Sequence, residues 1–520
     1  MKTNYLRIFT IFLAAPLFAT VGNHLSTDSL PALQFHAYAE EISPEEREAE
    51  REDFGDETDV EGFGNEMEFE EEEDSLEDAL DINLDEIVAA STSRSAFTFG
   101  GFVKEDIAYG FAYEDPEWAK FKSSVNLTFD YTISETWKSK LNVNGFYDSV
   151  YRHRGRDKFT DETLESYESE FEIRDLYVDG SFPKQTYFKF GRQVIAWGVS
   201  NSNQINDMVN PRYQRELGMV DMEDARLPVV ASKFTKVFGT FDIRLVAVHE
   251  IRGNKMAVEG SDFDPYVSTR GGFVTIEEEE VPNSEVKNTE FAVRLSKLFN
   301  GGDVALLYSD SYDDSPYLDF HAATKLPSKV QLTLTPKHRR MQSFGISGSL
   351  ASGSWLYKAE LAKKYNLAKG RKDIVAQFAT LPPGVYDEDS QAIETWEEKD
   401  EAQAVIGIEY SGIGDLKITV EGAASRIENH EQSLLSRKDS ATYYLMLDYT
   451  ALNDSLNAKF MATYLSHDDG RLLRGNVEYD FIDDLTGTLG AIFYEADKKE
   501  ARLYPYRKND KVFASIKYSF

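Results

Sequence analysis

From Phe97 to the C-terminus, apolar and polar residues change places at every second position. Residues 137–148 put Leu141, Val143 and Tyr147 on one face and Lys138, Lys140, Asn142, Asn144 and Asp148 on the other. Residues 442–449 set Tyr443, Leu445, Leu447 and Tyr449 on one side, and residues 456–464 do the same with Leu456, Ala458, Phe460, Ala462 and Tyr464. In residues 473–481, Leu473, Gly475, Val477, Tyr479 and Phe481 alternate with Arg474, Asn476, Glu478 and Asp480. Such runs have the length at which a tilted strand crosses a hydrocarbon layer, about 9–11 residues.

The connections between the runs alternate in length. Short turns fall at Ser134-Glu135, Pro183-Lys184, Phe238-Gly239, Asn300-Gly301, Ser352-Gly353, Gly412-Ile413-Gly414, Asn453-Asp454 and Asp483-Asp484. Between them lie long polar segments at 112–120, 152–167, 198–228, 249–288, 313–340, 366–400, 427–439 and 496–511, with 467–470 as the one short member. Turns short on one side and loops long on the other mark an outer-membrane barrel, whose turns are periplasmic and whose loops are extracellular. The fold expected is all-β, a transmembrane antiparallel barrel of about 18 strands (16 to 18). Its runs begin near 97, 121, 137, 169, 186, 229, 240, 289, 302, 341, 354, 402, 416, 440, 455, 472, 485 and 512. Residues 328–350 leave two options open, an extra strand or a hairpin within a loop. An even strand number places both termini in the periplasm. A soluble sandwich would keep its loops short at both ends.

Composition fits this reading. A mean hydropathy of -0.45 and the lack of an apolar run of about 18 residues beyond the N-terminus exclude a helical membrane protein, but not a barrel. The chain has no cysteine, which removes disulfides, thiolate metal sites and cysteine catalysis. A net charge of -35 argues against nucleic acid as a partner. Residues 1–39 read as a signal peptide: Lys2 and Arg7 precede the apolar stretch Ile8 to Val21, and Ala37-Tyr38-Ala39 offers a cleavage site. Residues 40–93 form an acidic segment, with 24 carboxylates against Arg47 and Arg51 between Glu40 and Glu86. It is expected to be a disordered periplasmic segment able to meet a periplasmic partner or an inner-membrane exporter. Residues 94–520 are the expected barrel, surrounded by outer-membrane lipid and lipopolysaccharide of a Gram-negative cell.

Charges on the inner face of the strands are the lumen-lining candidates: Asp242, Arg244, Glu290, Arg294, Lys358, Glu360, Glu409, Lys417, Glu421, Lys459, Arg474 and Glu478. A charge facing lipid at mid-depth costs roughly 2–4 kcal/mol for Lys or Arg, so these belong inside. Eighteen strands enclose more space than wall side chains fill, which predicts a lumen that is open or plugged by a loop.

The most individual stretch runs from Phe171 to Pro228. Residues 172–179 (EIRDLYVD) lead through a turn to 188–198 (FKFGRQVIAWG), followed by Asn210-Pro211-Arg212 and by 224–228 (DARLP). This stretch resembles a family of proteobacterial outer-membrane barrels known as a domain of unknown function, and more distantly the alginate-export and porin-type eighteen-stranded channels. The resemblance implies transport across the outer membrane, in some members of hydrophobic compounds alongside inner-membrane exporters. Within the stretch, Arg192, Trp197, Arg212, Arg215 and Arg226 are constriction-loop candidates, able to attract anionic or carbohydrate groups. Pairing with Asp207, Glu216, Asp221, Glu223 and Asp224 to shape the loop is the competing role for the arginines.

No cofactor, metal site or catalytic constellation is expected. His24 and His36 lie in the leader, while His153, His249, His321, His338, His430 and His467 fall in loops or at strand ends without a nucleophile beside them. The acidic groups Asp310, Asp313, Asp314 and Asp262, Asp264 lack the spacing of a calcium loop. The expected function is a porin-like channel for passage or export of small solutes, with hydrophobic and anionic ones as the candidate classes. The alternatives are a TonB-type receptor and a structural or adhesive barrel with a closed lumen. In the last run Val512, Ala514, Ile516, Tyr518 and Phe520 share the lipid face, and Tyr518 and Phe520 resemble the signal read by the outer-membrane assembly machinery.

Overall fold

A computed structural model describes residues 96–113, 116–220, 224–267, 272–466, 470–499 and 501–520. The leader and the acidic segment 40–93 lie outside the described residues. Eighteen strands form one sheet. They are β1 (Phe97–Gly110), β2 (Glu117–Ser134), β3 (Trp137–Asp148), β4 (Ser169–Phe182), β5 (Thr186–Gln193) and β6 (Val229–Phe238). Next come β7 (Phe241–Val248), β8 (Glu290–Phe299), β9 (Gly302–Tyr312), β10 (Arg340–Ser352), β11 (Trp355–Gly370) and β12 (Trp396–Ile413). The last six are β13 (Leu416–Ile427), β14 (Asp439–Ala451), β15 (Leu456–Leu465), β16 (Gly470–Ile482), β17 (Leu485–Ala496) and β18 (Lys511–Ser519).

Each strand pairs antiparallel with the next, and β18 pairs with β1 from Phe102↔Ser519 to Gly110↔Lys511, which closes the sheet. Closure leaves no unpaired edge, the condition for carrying a sheet through hydrocarbon. The outer face is apolar: Val103, Ile107, Leu245, Leu306, Ile346, Leu361, Ile406, Val420, Leu489 and Ile516 are all exposed. Rings gather at the turn-side rim, with Phe99 and Phe520 at 5.7 Å and Trp355 and Tyr410 at 4.3 Å between centroids. Such an aromatic girdle is the usual border of a transmembrane barrel. In the last strand Val512, Ile516, Tyr518 and Phe520 are exposed outward, as their register predicts.

The turns are short on one side (135–136, 183–185, 239–240, 300–301, 353–354, 414–415, 452–455 and 483–484), and the longest loop on the other spans 249–289. Two strands start at least four residues earlier than the alternation predicts: β2 at Glu117 rather than 121, and β12 at Trp396 rather than 402. Beyond the apolar belt both faces of a strand are wet, so the alternation that reveals a strand disappears while its hydrogen bonds continue. The open question at 328–350 resolves into a hairpin within a loop followed by β10. Strands Tyr317–Leu326 and Lys329–Lys337 form a sheet of their own, flanked by Val274–Ile276 and Gly384–Tyr386. Phe320, Leu332, Leu334, Phe378 and Ile393 make its core, with the helix Ile374–Thr380 on it.

Candidate functional site: a lumen crossed by one loop

The site starts at the end of β5. Gly191 has φ of 129° there, and a Cβ at that position would meet the Leu176 carbonyl oxygen at 2.2 Å. Only glycine fits, and past it the chain leaves the sheet and turns into the barrel. Ile195, Trp197, Met208 and Val209 pack on inward residues of β6–β9: Val229, Ala231, Val246, Val248, Ala292, Ala305 and Leu307. On β10, Gly345 makes room for Asn206, whose Oδ1 would lie 2.1 Å from a Cβ, and Asn206 donates to the Ile346 carbonyl at 3.0 Å.

Two inward carboxylates hold the far end of this loop. Glu360 of β11 accepts from the amides of Val199 (2.6 Å), Ser200 (2.8 Å) and Asn206 (2.9 Å). Glu421 of β13 accepts from the Asn201 and Ser202 amides at 2.7 and 2.8 Å, and from the Ser200 and Ser202 hydroxyls at 2.8 and 2.5 Å. Lys358 donates to the Asn201 side chain at 2.9 Å. The chain then crosses to the opposite wall. Glu216 meets Lys120 of β2 at 2.7 Å, Arg215 meets Glu170 of β4 at 2.5 Å, and the Tyr494 hydroxyl of β17 donates to the Leu217 carbonyl at 2.5 Å. Residues 194–220 therefore touch strands on opposite walls and form a crossbar. Lys120, Lys122 and Lys511 hold the Glu216 carboxyl down at about 2, against burial, which pushes it upward.

Of the twelve lumen-lining candidates, nine are under 10% exposed: Asp242, Arg244, Glu290, Arg294, Lys358, Glu360, Glu409, Glu421 and Arg474. They neutralise one another or hold loops. Arg244 lies 3.0 Å from Asp242, Arg294 3.6 Å from Asp303, and Lys358 3.9 Å from Glu409. The Glu290 carboxylate accepts the Tyr312 amide at 2.7 Å, and Arg474 reaches the Gly218 carbonyl at 3.5 Å. Lys417, Lys459 and Glu478 remain half-buried.

The constriction-loop candidates do not converge as free cations. Arg192 lies at the loop root, 2.6 Å from Glu250. Trp197 is buried against the wall. Arg212 and Arg226 both hold Asp207, at 3.2 and 2.8 Å, and Gln204 accepts from both. Arg215 holds Glu170. Asp207 is thus a partner in the expected loop-shaping set, whereas Asp221 and Glu223 lie outside the described residues. In the acidic groups considered for calcium, Asp262 is bound by Lys511 at 2.8 Å and Asp310 by Arg340 at 2.5 Å. Among the described residues no group of three His, Cys, Asp or Glu side chains is arranged to hold a metal ion.

Beside the crossbar a cavity of about 770 Å³ is lined by β1–β5, β16–β18 and the loop. Nine basic and seven acidic side chains line it, in a chain whose net charge is -35. Asp106, Glu170, Glu172 and Glu216 are all paired: Lys104 is 3.0 Å from Asp106, Lys255 and Arg252 are 3.1 and 3.0 Å from Glu172, and Lys255 also contacts Glu170. Lys122, Phe146, Tyr177 and Lys189 belong to this cavity and were not singled out from the sequence. The same alternation carries them, but shows nothing of which inward residues stay uncovered.

No curated protein sequence matches the chain. Among solved structures, OccAB1 of Acinetobacter baumannii is 9% identical with a TM-score of 0.48, the alignment covering 82% of this chain and 97% of that one. OpdK of Pseudomonas aeruginosa, solved with vanillate, is 8% identical with a TM-score of 0.45, covering 82% and 98%. OmpF of Salmonella typhi, solved with daunomycin, is 9% identical with a TM-score of 0.38, covering 82% and 97%. The family described as "Protein of unknown function (DUF1302)" matches residues 117–520, most of the chain and nearly all of its barrel, and the chain belongs to that family.

Proposed function

We propose that this barrel is an outer-membrane channel for small solutes, with its long loops outside the cell and both ends of the chain in the periplasm. The observation that carries the reading is the crossbar. A loop drawn into the lumen and latched by Glu360 and Glu421 narrows a barrel too wide to be filled by its own side chains. The polar, charged cavity beside it supplies surface that a solute shedding water can use. Purified full-length protein in a planar lipid bilayer should give discrete conductance steps. A silent bilayer, for the full chain and for a version lacking residues 40–93, would refute the channel.

A second reading is a barrel closed by its own loops. The packing of Ala257 and Phe263, from the loop after β7, on Ile492 and Tyr494 of β17 favours it. Steps seen only after residues 194–228 are shortened would support this reading over an open channel. In either case Phe520 is proposed as the contact with the assembly machinery, and residues 40–93 as the segment that meets a periplasmic or inner-membrane partner.

A further inference from the structure

The charges of the lumenal cavity are unevenly matched. Four of its seven carboxylates, Asp106, Glu170, Glu172 and Glu216, have cationic partners within 4 Å. Three lysines of the same cavity, Lys122, Lys140 and Lys189, have no carboxylate oxygen within 4 Å among the described residues, and Lys122 acts on Glu216 only from beyond that distance. Two of them rest on aromatic faces instead. Lys122 lies 4.3 Å from the centre of the Phe146 ring, and Lys189 lies 4.3 Å from that of Tyr177. Lys140 is the direct cross-strand neighbour of Tyr177. A ring face steadies an ammonium group but leaves its charge in place.

We infer that the β2–β5 wall binds small organic anions that carry an aromatic ring, at two lysine–aromatic stations: Lys122 with Phe146, and Lys140 and Lys189 with Tyr177. The inference deepens the channel reading by naming a solute class, and relies on that reading only for how the solute arrives. Lys122 and the position facing Lys140 are eight residues apart on β2, about 26 Å of strand, so one small anion occupies one station at a time. Between the stations Asn126, Asn142 and Asn144 present amides; Asn126 and Asn142 are linked at 2.9 Å. A carboxylate replaces part of its hydration with ammonium donors there, and its ring packs beside the Phe146 or Tyr177 ring.

The test uses full-length protein in detergent, with 4-fluorobenzoate observed by fluorine NMR line broadening and micelles without protein as the blank. Two controls separate the parts of the claim: 4-fluorobenzamide keeps the ring without the charge, and fluoroacetate keeps the charge without the ring. The expected result is that 4-fluorobenzoate binds and both controls bind more weakly. The triple variant K122Q/K140Q/K189Q should lose roughly tenfold or more in affinity, and the matching Lys→Arg triple should restore it. Heat-modifiable migration of each variant shows that its barrel has formed. Equal binding to the Gln triple, or fluoroacetate binding as tightly as 4-fluorobenzoate, would overturn the inference. Conductance without 4-fluorobenzoate binding removes the stations and leaves the channel. Binding without conductance removes the channel and leaves the stations.

Discussion

Glu421 offers the sharpest test of the crossbar. Its carboxylate accepts two backbone amides and two hydroxyls from residues 200–202. Hydrogen bonds to a charged group contribute about 1.5–3 kcal/mol each, yet bonds sharing one acceptor group do not add, and lumenal water can replace the hydroxyl contacts. Counting only the two amides at the low end, Glu421→Ala should destabilise the latched state by about 3 kcal/mol, or roughly a hundredfold in its population. Hydrogen exchange read by mass spectrometry on peptides covering 199–206 measures this directly. The amides of Asn201 and Ser202 should exchange up to about a hundredfold faster. Those of Val199, Ser200 and Asn206, held by Glu360, should stay protected. Glu421→Gln, which keeps one oxygen acceptor, should fall between. The reasoning fails if 201–202 exchange at the wild-type rate. It fails equally if 206 accelerates with them, because the two carboxylates would then not be independent latches.

Three further outcomes are expected. Glu105 faces outward between Val103 and Ile107 and accepts from the Ser123 hydroxyl at 2.8 Å; Glu105→Leu should stabilise the barrel by about 1–2 kcal/mol in a urea titration in lipid vesicles, and a destabilised variant would contradict the outward placement. Glu216 titrates in the fold at about 2, below the usual carboxylate value of 4.5, so its contribution is present above pH 4.5 and is lost as pH falls toward 2. Exchange of the 213–220 peptide should therefore lose extra protection on acidification, and Glu216→Gln should abolish that pH dependence. Phe520 follows directly on β18, exposed and with its amide donating to the Gly101 carbonyl at 2.9 Å, so Phe520→Asp should reduce heat-modifiable barrel in outer-membrane fractions, and normal yields would count against an assembly role.

The strands were legible because the information that makes them is local. Lipid on one side and a polar lumen on the other impose period two, so Leu141, Val143 and Tyr147 declare their face without reference to any other strand. Turn residues such as Asn300-Gly301 and Asn453-Asp454 mark the reversals in the same local way. Where that asymmetry stops, as at Glu117 and Trp396, the strand ends could no longer be read.

The inner face is a different matter. Alternation placed Glu360, Glu421 and Arg244 inward, but nothing local distinguishes a carboxylate that lines water from one that grips a loop. That difference rests on contacts between residues far apart in sequence, 161 positions for Val199 and Glu360 and 219 for Ser202 and Glu421. The sequence by itself determined a barrel of about 18 strands and the facing of residues in its clearly alternating runs, because one lipid–water boundary repeats along every strand. Only the tertiary structure decided which inward charges are held by the crossbar and which, like Lys122, Lys140 and Lys189, stay half-buried without a carboxylate oxygen within 4 Å among the described residues. A loop's path across a lumen is set by the far wall it reaches, and its own residues do not encode that wall.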